Sequence, residues 1–182
     1  MILTLQIIAM VSTIYCVYLI GKQNILGWPV TIVSALSLIV IYVLTHLYSQ
    51  IILQGLYLVQ AVYGWYYWKK NDTLMVTKIG LLNTILSSIV LVSVVFTFMV
   101  VCPINIDSTV KIDVISAVIG IYATWLLTKK VLETWLLYML YNLMLIVLTV
   151  EAGLYILVLL NVILFLISLN GYRLWKKDLS MD

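Results

Sequence analysis

Gln54, Tyr57, Gln60 and Tyr63 recur at every third position of an otherwise apolar run, and Gly64 and Trp65 follow at once. On a helix this spacing keeps the four side chains on one slowly drifting stripe. A carboxamide donates and accepts hydrogen bonds, and so does a phenol, so the stripe is suited to holding a small polar ligand. When the chain is slid along itself until Trp28 meets Trp135, Asn161 and Asn170 fall on Gln54 and Tyr63, and Asn142 lies in the apolar run just before them. Two amide-bearing helices facing each other would hydrogen-bond such a ligand from both sides. Trp28 and Trp135 could themselves add a stacking surface with Tyr138 or Trp65, with extra attraction for a flat cationic ring.

Plainer readings stand beside these. A single amide in a membrane helix often does no more than tie helices together, worth about 1 kcal/mol, and a tryptophan near basic residues is commonly an interfacial anchor. Trp68 and Trp175, each followed by a Lys-Lys pair, are expected to be anchors only. For the amides, the recurrence of the set at one fixed offset favours a binding cavity. Asp113, Glu133 and Glu151 sit near expected helix ends. Glu133 beside Lys129 and Lys130 reads as a solvated charge at a helix start, whereas Asp113 stands where it could meet an entering cation. His46 has no partner at ligand spacing, and Cys16 and Cys102 show no metal or redox pattern. The chain carries no phosphate-binding Gly-x-x-x-x-Gly-Lys-[Ser/Thr] loop, no His-Glu-x-x-His, no nucleophile elbow and no buried acidic relay. Recognition rather than catalysis is therefore expected, with no metal or other cofactor.

The elements that position these residues follow from composition. The 182 residues are 65% hydrophobic and 9% charged, with a mean hydropathy of +1.18, far from the roughly 25% charged residues of a water-soluble domain. Lipid is the solvent for most of this chain. Apolar runs near 2–20, 26–45, 47–68, 77–101, 112–128, 134–150 and 152–172 predict seven transmembrane helices. The first lacks the basic leader and cleavage site of a signal peptide and reads as a retained helix. Helices are preferred to barrel strands because each run far exceeds about 9–11 residues and lacks strict alternation. With seven spans, Lys22, Lys69, Lys70, Lys78, Lys129, Lys130, Arg173, Lys176 and Lys177 share one side and Lys111 is alone on the other. The positive-inside rule then puts the N-terminus outside and the C-terminus in the cytoplasm. The net charge of +3 is accounted for by that orientation, and nucleic acid is not an expected partner.

The shift that brings Trp28 onto Trp135 also aligns Tyr15 with Tyr122, Lys22 with Lys129, Tyr48 with Tyr155, Gly64 with Gly171, Trp68 with Trp175 and Lys69-Lys70 with Lys176-Lys177. Matches among rare residues mark an internal repeat. Two three-helix units that end on the same basic side must run in parallel, so one extra crossing is needed between them. The expectation is a single transmembrane domain over 1–182, with a first repeat at 1–72, a bland linker helix at 77–101 and a second repeat at 108–178. This is the 3+1+3 plan of parallel-repeat transporters, whose substrate site lies between the halves near midplane.

With Leu53-Gln54, Tyr63-Gly64-Trp65-Tyr66-x-Trp68, Lys130-x-x-Glu133-x-Trp135-Leu136-Leu137 and Asn170-Gly171-x-Arg173-x-Trp175 in view, the chain resembles the PnuC family of bacterial vitamin transporters along essentially its whole length. The resemblance implies a SWEET-like fold in the bacterial inner membrane. It also implies facilitated diffusion of nicotinamide riboside by alternating access, with a separate kinase trapping the product inside. It assigns a central carboxamide and aromatic site to Gln54, Gln60, Trp135 and Asn142, and it matches Asp113 to an aspartate near the start of the fifth helix. Relatives carry thiamine or riboflavin, and thiamine is also a flat cation, so it stands as the alternative substrate. A sugar carrier of the same architecture, a membrane-embedded enzyme and a scaffold are the remaining readings. Homo-oligomers are compatible with all of them.

Overall fold

The computed structural model describes residues 2–44, 48–71, 73–80, 93 and 108–180. Within these, six long helices form: α1 (Ile2–Gly21), α2 (Gly27–Leu44), α3 (Tyr48–Lys70), α4 (Ser108–Thr128), α5 (Thr134–Glu151) and α6 (Tyr155–Leu179). Helix is the physical outcome of such runs because hydrocarbon offers the backbone no partner outside its own segment. α4, α5 and α6 contain stretches long and apolar enough to cross a membrane, while Leu5–Gly21 and Gly27–Ile41 are apolar but a little shorter. α3 is longer than either, yet carries the Gln and Tyr stripe that lowers its hydropathy.

Most of the expected fourth span lies outside the described residues, as do His46 and Cys102. Its first residues, 77–80, are described and are not helical. Thr77 bridges to Val131 instead, donating its N–H to Lys130 O at 3.0 Å and accepting from Leu132 N–H at 2.8 Å. The Glu133 carboxylate accepts the N–H of Ile79 at 3.0 Å. These contacts correct two expectations, a helix beginning at 77 and a merely solvated Glu133. Chain leaving α3 needs partners for its backbone groups, and the α4–α5 turn supplies them.

Each of the six helices packs on two others, α1 on α2 and α6, α3 on α2 and α4, α5 on α4 and α6, so that they close a ring. Outward faces are apolar and exposed, as at Ile52, Leu56, Val59 and Val62 of α3 and Leu136, Leu140, Leu143 and Val147 of α5. The buried cluster gathers instead at the basic end, where α3 finishes in Lys69-Lys70 and α6 in Lys176-Lys177. Its centre is four tryptophans, Trp28, Trp68, Trp135 and Trp175.

Contacts at this end come in pairs related by the sequence repeat. The Trp28 ring stands edge-on to Trp68 with centroids 5.4 Å apart, and Trp135 stands edge-on to Trp175 at 5.2 Å. Gly64 leaves room for the Trp28 ring, and Gly171 does the same for Trp135. Trp68 Nε1 donates to the carbonyl of Thr128, the last residue of α4, and Trp175 Nε1 donates to that of Gly21, the last residue of α1, both at 3.0 Å. The final carbonyls of a helix have no partner within it, so each indole closes a helix end across the bundle. Trp68 and Trp175, 4% and 0% exposed, are thus core residues rather than the interfacial anchors expected. Replacing either with phenylalanine should cost about 1–3 kcal/mol by leaving a buried carbonyl unpaired. The two losses should be equal within a few tenths, as read by denaturant unfolding in detergent micelles.

Both turns after α1 and α4 close in the same way. Asn24 N–H bonds Leu19 O and Val131 N–H bonds Leu126 O, while Gln23 N–H bonds Ile20 O and Lys130 N–H bonds Leu127 O. This is the Schellman pattern, whose left-handed position usually holds glycine. Here that position holds Gln23 with φ 56° and Lys130 with φ 52°.

Candidate functional site

α3, α4 and α5 hold two of the predicted polar residues, Gln60 and Asn142, by their side-chain nitrogens. The Gln60 Nε2 donates to Ile121 O on α4 at 3.1 Å, and the Asn142 Nδ2 donates to Tyr138 O one turn back on α5 at 2.7 Å. Each amide group is thereby fixed by its nitrogen. Their oxygens, Gln60 Oε1 and Asn142 Oδ1, are buried and accept no hydrogen bond. A buried unpaired acceptor costs about 1–3 kcal/mol, so two in one layer are an arrangement that a ligand bearing donors would relieve. Asn142 stands eight residues into α5 and Gln60 ten residues before the end of α3. At 1.5 Å per residue both lie ~12–15 Å from the basic end, near the middle of about 30 Å of hydrocarbon.

Tyrosines of the same helices make contacts of their own. The Tyr138 hydroxyl pairs with Thr124 Oγ1 at 2.9 Å. Tyr57 is hydrogen-bonded to Tyr141 and its hydroxyl fills the space over Gly120, where an added Cβ would come within 2.5 Å of it. Flat polar rings and unpaired acceptors on the same helices are of the types that suit a planar ligand carrying N–H or O–H groups.

The family model for the nicotinamide mononucleotide transporter matches residues 3–177. The chain belongs to this PnuC-type family. It is similar to the nicotinamide riboside transporter PnuC of Escherichia coli (strain K12), 23% identical over 94% of this chain and 84% of that one. The Shigella flexneri protein of the same name matches to the same extent. Among solved structures, the crystal structure of the vitamin B3 transporter PnuC shares the fold, with a TM-score of 0.78 and 22% identity over 97% of this chain and 82% of that one.

In this PnuC-type membrane transporter the other predicted residues are placed unequally. Asn161 is buried at 5% exposure and Gln54 is half-buried. Tyr63 drifts off the stripe to the α3–α4 seam, where it stacks on Trp125 at 5.4 Å. Trp65 is 41% exposed, and Asp113 and Asn170 are exposed as well. Trp28 and Trp135 are fully buried with their rings taken up by glycine and tryptophan neighbours. Neither presents a free face for stacking in this conformation, although both Nε1 groups are buried donors without an acceptor.

The layer also includes residues that sequence reasoning missed. Tyr141 and Thr124 were legible in principle, since Tyr141 follows Tyr138 by three and shares its helical face. The repeat alignment puts Tyr138, Tyr141 and Asn142 on Thr31, Ser34 and Ala35 of α2. There the small hydroxyls pair across to α1, Thr13 Oγ1 lying 2.7 Å from Ser34 Oγ. At these three positions aromatic and amide side chains stand on α5 and not on its repeat partner α2.

Proposed function

We propose that the protein takes up nicotinamide riboside by facilitated diffusion across the inner membrane of a bacterium. The observation that carries this reading is the pair of buried, unpaired oxygens on Gln60 and Asn142, in a chain whose similar proteins are named nicotinamide riboside transporters. Nicotinamide riboside is a flat pyridinium whose carboxamide and ribose supply the donors those acceptors lack, and the Tyr57, Tyr138 and Tyr141 rings suit its plane. The architecture in this reading is seven spans in a 3+1+3 order, with the fourth among residues outside those described, the N-terminus outside and the C-terminus in the cytoplasm. A pseudo-two-fold axis relates α1–α3 to α4–α6, supported by the indole-to-helix-end contacts that recur in both repeats. The halves rock about a fixed midplane site, and phosphorylation by a separate kinase keeps the product inside. Assembly into homo-oligomers is compatible with the apolar outer faces.

The test is uptake of labelled nicotinamide riboside into proteoliposomes, with thiamine and glucose as competitors. Saturable flux that neither competitor abolishes is expected. Absence of saturable flux, or flux of thiamine or glucose alone, would overturn the substrate assignment.

A further inference from the structure

The two seams that join α1–α3 to α4–α6 are built differently. Along α3–α4 the contacts run from the middle of the bundle to the basic end. Gln60 bonds Ile121 O, Tyr57 covers Gly120, Tyr63 stacks on Trp125 and Trp68 bonds Thr128 O. Lys129 adds a clamp, its Nζ bonded to the Tyr63 hydroxyl and lying 3.8 Å from the centre of the Tyr67 ring and 5.2 Å from that of Trp125. The bridge of Thr77 to the α4–α5 turn ties the same side again. Trp68 stands eleven positions after Tyr57 on α3, ~16 Å along the helix.

Along α1–α6, hydrogen bonds among the described residues are confined to the basic end. They are Trp175 Nε1 to Gly21 O and Gln23 Nε2 to Asp178 Oδ2 at 2.6 Å. The positions matching Tyr63, Tyr67 and Trp125 are Asn170, Leu174 and Tyr18, and Asn170 is exposed. Lys22 keeps its contact with the Tyr18 ring at 4.6 Å, but both belong to the first half, so among these residues no aromatic clamp reaches across to α6.

Between the seams lies a polar chain. Lys130 Nζ donates to Gln23 Oε1 at 3.0 Å. The repeat aligns these two residues with each other, as it aligns Trp28 with Trp135, so their contact sits on the pseudo-two-fold axis. Lys130 also donates to Leu74 O at 2.8 Å and lies 4.7 Å from the centre of the Trp68 ring, at 8% exposure. Both residues hold left-handed backbone, which costs a side-chain-bearing residue about 1–2 kcal/mol relative to glycine. Glycine would close the turns with less strain but would break the chain Lys130–Gln23–Asp178. Strain retained at such positions points to what the side chains do.

We propose that the halves part unequally, with the α3–α4 seam staying shut as a hinge while the basic end opens at α1–α6, where Lys130, Gln23 and Asp178 form the latch. This rests on the transport reading above. Rocking on a hinge needs the Trp175–Gly21 hydrogen bond, the latch and the packing of α1 on α6 to yield, whereas parting at α3–α4 would strip an aromatic stack, a caged ammonium and a backbone bridge together.

The experiment uses full-length protein with Cys16→Ala and Cys102→Ala, reconstituted in liposomes, carrying either Gln23→Cys with Asp178→Cys or Tyr67→Cys with Lys129→Cys. Nicotinamide riboside uptake is measured before bridging with a short bis-methanethiosulfonate, after bridging, and after reductive cleavage. Bridging 23 to 178 should slow uptake by at least tenfold and cleavage should restore it. Bridging 67 to 129 should leave uptake within twofold. A block at 67–129, or continued flux with 23–178 bridged, would refute the hinge. Because bridging acts on assembled protein, a loss reversed by cleavage is not a folding defect. Absence of flux in every unbridged protein, for nicotinamide riboside and thiamine alike, would refute the transport reading and the hinge with it.

Discussion

Asn142→Ala should abolish most saturable uptake without lowering the melting temperature of the ligand-free protein. The side chain is 2% exposed; its nitrogen bonds a carbonyl of its own helix, and its oxygen bonds nothing. Removing it relieves a buried acceptor worth about 1–3 kcal/mol and brings in a better helix former, by about half a kcal/mol. Against these gains stand one local hydrogen bond and a few lost contacts. Ligand binding, by contrast, loses the acceptor outright, and about 1–3 kcal/mol corresponds to a roughly 5- to 150-fold weaker complex. Alanine already stands at the matching position, Ala35. Gln60→Ala provides the contrast. Its nitrogen crosses to Ile121 O on α4, so uptake and stability should fall together, the latter by about 1 kcal/mol. Thermal unfolding in detergent and flux in liposomes, measured on the same two variants, separate the effects. A large drop in melting temperature for Asn142→Ala would mean that the oxygen is part of the packing rather than of the site.

Gly64→Val should be the most damaging single change in the bundle. A Cβ at this position would lie 2.6 Å from the Trp28 ring, and at Gly171 it would lie 2.8 Å from the Trp135 ring. Neither indole can yield, because both are fully buried and stand edge-on to a second tryptophan. Overpacking typically costs about 1–3 kcal/mol, and the branched valine, wedged against a ring that cannot move, should reach the upper end or exceed it. Gly171→Val should behave alike. Trp28→Leu combined with Gly64→Val should recover more than half of the loss, a coupling expected only of residues in contact. Chemical denaturation of the single and double variants measures it. Additive losses would show that the glycine serves something other than the ring.

These predictions draw on different levels of information. The glycines were legible as places of close approach, but not as seats for an indole from the preceding helix. Trp68 and Trp175 were misread because a tryptophan beside two lysines looks the same in sequence whether its ring lies at the lipid surface or under a neighbouring helix end. Gln60 was found by type and spacing and Asn142 by type and by the family resemblance, whereas Tyr141, Thr124 and Lys130 were not assigned to a site, since their roles depend on the chain across the ring. Asn170 was reached by the repeat shift, Trp65 as a possible stacking ring and Asp113 as a helix-end carboxylate, and all three are exposed.

Hydropathy, charge and the internal repeat are properties of order along the chain. They sufficed for helices, for a membrane setting, for a basic end and for the pairing of Trp28 with Trp135 and Lys22 with Lys129. Which polar atoms keep a partner is a property of neighbours in space. Only the packed ring decided that Gln60 and Asn142 spend their nitrogens on backbone and leave their oxygens open, and that one seam carries an aromatic clamp the other lacks. The 107-residue shift matches Trp28, Gly64 and Trp68 with Trp135, Gly171 and Trp175, and it mismatches Tyr63, Tyr67 and Trp125 with Asn170, Leu174 and Tyr18. Hydrogen-bond satisfaction is settled within about 3 Å, a distance that no spacing along the chain specifies.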